Sequence, residues 1–400
     1  MPHTPVAGAA HRFGLSRNIA VLMAVILVVG TGEELWIRFL PAYLEDLGGG
    51  IWVVAIYGTL FNLLDSVYQY PGGWAADRLG RRRSLILFTL AAAAGYALYL
   101  GPRWAWVIAG TFLVMSWTTL TLPALFATVA DNLPPAKRAA GFGWQSIVRR
   151  IPTMVAPPLG GLLIAGLGLA AGVRVGLIIT IGCCLLAVLL LVALYRESPA
   201  QPHAPIQLAG VWRSFDARLR RLLVADILAR WAEGIPKVFV VIYCTQNLGL
   251  SAVLFGWLMT VQRATNLVAY LPAIGLGDRP NRKPFVLTTF AFFALFPLVL
   301  VNVSGFRGAV VAFVIAGLWE LGEPARKALI VDLAPEVVRG RAVGLYYLLR
   351  NLAVVPAAIL GGLLWRIAGP EAMFYVAFAA GLGGLGFYAF WGSGQKNPVQ

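Results

Sequence analysis

The sequence predicts an all-α membrane protein. Of 400 residues 59% are hydrophobic and only 12% charged, with a mean hydropathy of +0.77, well outside the composition of a soluble domain. Apolar stretches of the length that crosses a hydrocarbon core, about 20 helical residues, recur along the whole chain. These stretches are continuous, whereas a membrane β-barrel would alternate apolar and polar residues over about ten positions. Twelve spans are expected, at 18–44, 51–74, 84–101, 104–130, 139–166, 172–195, 219–247, 253–276, 284–303, 308–333, 340–366 and 371–392.

Arg12 and Arg17 precede the first span and no small-residue cleavage site follows it, so it reads as a retained anchor. Cys183 and Cys184 are adjacent in an apolar run and Cys244 is alone, which gives neither a disulfide framework nor a metal-ligand spacing. The formal charge of +15 is explained by topology and not by nucleic acid. With the N-terminus in the cytoplasm, the basic clusters at Arg78 to Arg83, Arg213 to Arg221 and Arg279 to Lys283 fall on one side. Only Arg103, Arg174, Arg307 and Arg366 fall on the other. The bias of Lys and Arg toward the inner face then puts both termini in the cytoplasm.

The chain is duplicated with an offset of 201. Asp77-Arg78 matches Asp278-Arg279, Pro71 matches Pro272, Pro123 matches Pro324, Asp131 matches Asp332, Arg149 matches Arg350, and Gly160-Gly161 matches Gly361-Gly362. Six spans were copied. An even number of spans per copy makes the two halves parallel, related by an axis along the membrane normal. The expected halves are 1–195 and 219–400, joined by a polar linker at 196–218 that contains RESPAQPHAP.

Between spans 2 and 3, Gly73, Asp77, Arg78, Gly80 and Arg81 with Arg82 form the pattern G-x-x-x-D-R-x-G-R-R. This resembles the signature loop of the major facilitator superfamily. The second copy keeps Asp278, Arg279, Arg282 and Lys283 but has Asn281 in place of the glycine. The resemblance implies a secondary transporter of twelve spans working by alternating access, usually as a monomer. It also implies a cytoplasmic gate in which Asp77 meets the start of span 11, at Arg339 and Arg341, and Asp278 meets the start of span 5. A helix N-terminus carries partial positive charge, so an aspartate suits it. The basic residues pin the loop inside, and its glycines permit a tight turn.

Ionisable residues within spans are functional candidates, because a charge at the bilayer centre costs at least about 2.5–3.5 kcal/mol. Spans 3, 6, 9 and 12 carry none away from their ends, while spans 1, 2, 5, 7, 8, 10 and 11 do, the segregation that a polar cavity requires. Glu33, Glu34, Asp65, Glu233 and Glu320 lie near the midplane with Arg263. Arg149, Arg150, Arg326, Lys327 and Arg350 lie closer to the cytoplasm. Glu34 with Arg38, Glu233 with Lys237, and Glu323 with Lys327 are spaced i, i+4 for pairing. A carboxylate in a low-dielectric cavity takes up a proton and releases it when a cation arrives. Glu320, Glu33 and Glu34 are therefore the leading candidates for proton coupling, with Asp65 next.

The expected function is proton-coupled movement of a small organic solute across the cytoplasmic (inner) membrane of a prokaryote. APPLGG at 156–161 partly resembles the Gly-Pro-x-x-Gly-Gly segment of the family's antiporters, which implies efflux, while close helix packing is an equal reading of its glycines. Aromatics such as Trp36, Tyr57, Trp117, Trp231 and Trp257 are available to line an amphiphile cavity. A rival reading is exchange of organic anions held by Arg263 and Arg350, whose guanidinium forks suit carboxylate or phosphate. A lipid flippase or a non-transporting sensor is a second. An enzyme is not expected, since neither a nucleotide loop nor a Ser-His arrangement is present. No cofactor is expected either. His3, His11 and His203 all lie outside the spans, so no metal site is expected.

Overall fold

The structure, a computed structural model, describes residues 17–121, 125, 128, 135–197, 211–277, 282–335 and 339–391. At 69, 70, 73, 76, 77, 135–147, 211, 214, 271–277, 339 and 340 it describes the backbone alone. Among the described residues all regular structure is helical. Seven helical stretches are long and apolar enough to cross a membrane: Arg17–Asp46, Gly50–Val67, Val148–Leu167, Leu169–Leu194, Lys283–Asn302, Gly305–Leu333 and Arg341–Trp391. Helices satisfy their own backbone polar groups, the condition for lying in hydrocarbon.

Prolines and glycines divide several of these stretches. The first span, expected to run unbroken over 18–44, consists of Arg17–Glu34, a 3-10 turn at Ile37–Phe39, and Leu40–Asp46. Pro41 has no N–H to offer the Ile37 carbonyl, so the α-helical ladder fails there. Pro236 does the same between Ala217–Gly234 and Val240–Ile242, and Pro324 between the 3-10 turn Trp319–Gly322 and Glu323–Leu333. Near the end of the chain, Ala357–Trp391 is turned at Gly369, whose φ is +88°. Its counterpart Gly168, 201 residues earlier, has φ +84°, so the duplication is visible in backbone conformation as well as in sequence. Both need glycine, since side chains disfavour positive φ.

The chain forms two compact units, Met1–Gly48 with Leu64–Ala204, and Gly49–Leu63 with Pro205–Gln400. In the first, the buried Trp36 ring meets Tyr96 and Tyr99 edge-on at 5.5 and 5.7 Å, and its indole N–H donates to Thr180 Oγ1 at 2.9 Å. Asn18 exchanges two hydrogen bonds with the backbone of Arg196, tying the helix Arg17–Glu34 to the end of Leu169–Leu194. In the second, Phe290 and Phe293 pack with Tyr388 and Trp319, and Ala225, Ala229 and Ala232 let Ala217–Gly234 come close to Gly381 and Gly384.

The glycines of APPLGG and its copy have a packing role. A Cβ on Gly160 would run into the Leu35 carbonyl, and one on Gly361 into the Ile235 carbonyl. The two contacts are equivalent, yet Leu35 and Ile235 are 200 apart while Gly160 and Gly361 are 201 apart. The repeat thus slips by one residue between spans 1 and 7.

Gly160→Ala is expected to lower stability by about 1–3 kcal/mol, the usual range for overpacking, whereas Gly182→Ala, inside a helix and with no neighbour within 4 Å, does not lower it. Thermal unfolding of the two variants in detergent checks this.

Candidate functional site

The turn at Gly80, between the helices Gln69–Leu79 and Arg81–Tyr99, is flanked by basic residues. Gly80 has φ +87° and closes the helix Gln69–Leu79, where Arg78 stacks on Trp74 at 5.2 Å. Arg81 is buried. Arg82 accounts for a different need, because the last carbonyls of a helix have no partner within it. Its guanidinium donates to Leu191 O at 3.1 Å and to Val192 O, capping Leu169–Leu194. Lys283, its repeat counterpart, donates to Ala389 O at 2.8 Å, near the end of Ala357–Trp391. Arg282, the counterpart of Arg81, pairs with Asp332. Of the expected gate, Asp278 and Arg279 lie outside the described residues, as do the side chains of Asp77 and Arg339; Gly73 is described by its backbone alone and Arg341 is exposed.

In the first unit a cleft with about 100 Å³ of open space is lined by Glu33, Glu34, Trp117, Thr118 and Arg149, with Ile26, Gly30, Leu125 and Pro152 among its apolar walls. Pro41 ends the helical run just past the two glutamates, and the π-helical turn Ser116–Leu120 brings Trp117 and Thr118 to the same place. Glu34 is neutralised by Arg38 through a two-point bond of 2.7 and 2.8 Å. Glu33 is held by hydroxyls: Tyr96 OH donates to its Oε1 at 3.2 Å and Thr118 Oγ1 to the same oxygen at 3.4 Å. Among the described residues no cation lies within ion-pair distance of Glu33. Asp65 accepts from Thr119 Oγ1 at 2.9 Å.

The second unit holds a network of opposite character. Asp226 and Arg326 are both fully buried and paired. Tyr346 OH donates to the same Asp226 oxygen at 3.0 Å, and Arg350 Nη1 approaches it at 3.7 Å. Arg230 bonds Glu233 at 2.8 Å, reaches Glu323 at 3.7 Å and Asp226 at 3.9 Å, and lies over the Phe293 ring at 4.7 Å. Glu323 accepts from Arg326 at 2.7 Å and meets Lys327 at 3.5 Å. Asp226 and Glu323 each face three cations and Glu233 faces Arg230, which is how buried charge is tolerated.

The structure thus brings Glu33, Glu34 and Arg38 together in one unit, and Glu233, Glu323 and Arg350 together in the other. Glu233 finds Arg230 at i−3 as its ion-pair partner instead of the expected Lys237. Glu320 stands on the 3-10 turn Trp319–Gly322 and Arg263 on the helix Ala252–Gly277. Asp226, Arg230 and Tyr346 were not singled out by the sequence. The i, i+4 spacing of Asp226 and Arg230 was the available signal, but Tyr346 and Arg326 join through tertiary contact, which spacing cannot reveal.

Asp226→Ala is expected to cost about 3–5 kcal/mol, because it leaves buried guanidinium groups without their carboxylate. Tyr346→Phe removes one hydrogen bond, a loss of about 1 kcal/mol. Thermal unfolding in detergent ranks the two.

Comparison with known proteins agrees with this architecture. The family model for the Major Facilitator Superfamily matches residues 22–232 and 222–400. An uncharacterized MFS-type transporter of Methanocaldococcus jannaschii is 20% identical over 93% of this chain and 94% of its own length. The multidrug resistance protein MdtG of a Rahnella species is 24% identical over 96% of this chain and 95% of its own. A crystal structure of a peptide transporter in complex with alafosfalin superposes with a TM-score of 0.76 at 17% identity, covering 98% of this chain and 97% of that one. The chain belongs to the major facilitator superfamily.

Proposed function

We propose that the protein is a proton-coupled secondary active transporter that exports a small organic solute by alternating access. In this reading twelve spans form two parallel six-helix halves with both termini in the cytoplasm, and the protein works as a monomer in the inner membrane of a prokaryote. Glu33 carries the proton. The observation that supports this is its setting: a carboxylate facing a cleft, positioned by Tyr96 and Thr118 and with no described cation in ion-pair reach. Such a group can alternate between a proton and a cationic part of the solute, whereas Glu34, Glu233 and Glu323 are each committed to an arginine. Export is supported by likeness to a multidrug resistance protein.

Anion exchange through Arg263 and Arg350 has less support. Arg350 sits beside Asp226 and over the Tyr347 ring, where a second anion would meet a carboxylate.

Internal pH in proteoliposomes, read by a dye during challenge with organic cations, zwitterions and anions, tests the proposal. Solute is expected to drive proton movement in wild type and not in Glu33→Gln. Solute movement at constant internal pH would remove the coupling and move the anion-exchange reading to first place.

A further inference from the structure

The cleft of the first unit and the ion network of the second occupy corresponding positions in the repeat. With the one-residue slip set by Leu35 and Ile235, Ile26, Gly30 and Glu33 answer to Asp226, Arg230 and Glu233. With the general offset of 201, Leu125 and Arg149 answer to Arg326 and Arg350. The five first-unit residues all line the cleft. Two charges of the network have counterparts there, Glu33 and Arg149, and their partners do not. Gly30 stands where Arg230 bonds Glu233 at 2.8 Å, and Ile26 where Asp226 lies 3.7 Å from Arg350. Among the described residues neither Glu33 nor Arg149 makes an ion pair. The space that the Arg230 side chain fills in the second unit is open above Gly30, whose missing Cβ would find only Pro152 nearby, at 3.4 Å.

We infer that this cleft binds a zwitterionic organic solute, with its ammonium group on Glu33 and its carboxylate on Arg149. The ligand would supply the two charges that Arg230 and Asp226 supply permanently in the second unit. This deepens the transport reading above and rests on it. The chemistry of each end agrees. Both hydroxyl donors to Glu33 use Oε1, which leaves Oε2 for an ammonium. A guanidinium fork binds carboxylate with two parallel hydrogen bonds. Because Arg38 already neutralises Glu34, the described lining of the cleft offers one open charge of each sign. A monocation leaves Arg149 unanswered and a monoanion leaves Glu33 unanswered, so each should bind more weakly. Trp117 provides an aromatic wall for the body of the molecule.

The test is equilibrium binding to the full-length protein in detergent at neutral pH. The probes are phenylalanine, tyrosine and the dipeptide Phe-Ala, each beside its methyl ester as the matched cation and its N-acetyl derivative as the matched anion. At least one zwitterion is expected to bind about tenfold or more tightly than both of its derivatives, a difference of about 1.4 kcal/mol. Arg149→Gln should erase the preference over the ester, Glu33→Gln the preference over the N-acetyl form, and Gly30→Arg should abolish binding by refilling the cleft. Arg149 is exposed, so its variant is expected to fold. The inference is overturned if an ester binds as tightly as its zwitterion, if no member of the panel binds, or if both preferences survive the two substitutions. Proton flux on the same preparation separates the two claims. A zwitterion that binds but moves no protons removes the coupling and leaves the site. Proton movement driven by an ester alone overturns the zwitterion and leaves the coupling.

Discussion

A charged side chain placed among helices apolar enough to lie in hydrocarbon has little water to stabilise it, so its counter-charge must come from the protein or from something the protein binds. In the second unit the protein supplies it. Asp226, Glu233 and Glu323 are interleaved with Arg230, Arg326 and Arg350, and Tyr346 provides a further hydrogen bond. That network holds together Ala217–Gly234, Glu323–Leu333 and Arg339–Val354 through directional contacts where nonspecific apolar packing would leave their register free.

The first unit has the same frame without most of that network. Apolar residues or glycine stand where Asp226, Arg230 and Arg326 would be, and the residues that remain line a cleft. Duplication thus produced two chemically different interiors from one backbone plan. The equivalence of that plan is seen in the paired contacts of Gly160 with Leu35 and Gly361 with Ile235, and in the matching turns at Gly168 and Gly369.

Broken helices position the polar groups. Pro41, Pro236 and Pro324 each remove a donor from the backbone ladder, and each break falls within a few residues of the glutamates that matter: Glu33 and Glu34, Glu233, and Glu320 and Glu323. Helix ends are managed in the same way. Arg82 and Lys283 stand in the first turns of the helices Arg81–Tyr99 and Lys283–Asn302 and bond the carbonyls at the ends of Leu169–Leu194 and Ala357–Trp391. These two basic residues therefore stabilise specific helix termini in addition to any role in topology.

Membrane class, helical content, internal duplication and family were determined by the sequence alone, because each follows from composition, from periodicity or from a motif repeated at one offset. The pairing of Glu34 with Arg38 was also legible, since i, i+4 neighbours on a helix meet without help from the rest of the chain. The tertiary structure decided which other charges are answered and by whom. Glu33 and Glu233 look alike in sequence, yet one is held by hydroxyls and faces a cleft while the other is bound to Arg230. That difference depends on residues brought together across 63 to 120 positions of chain, as Tyr96 is to Glu33, Arg326 to Asp226 and Tyr346 to Asp226. Local spacing carries no information about contacts at that range; only the packing of the helices does.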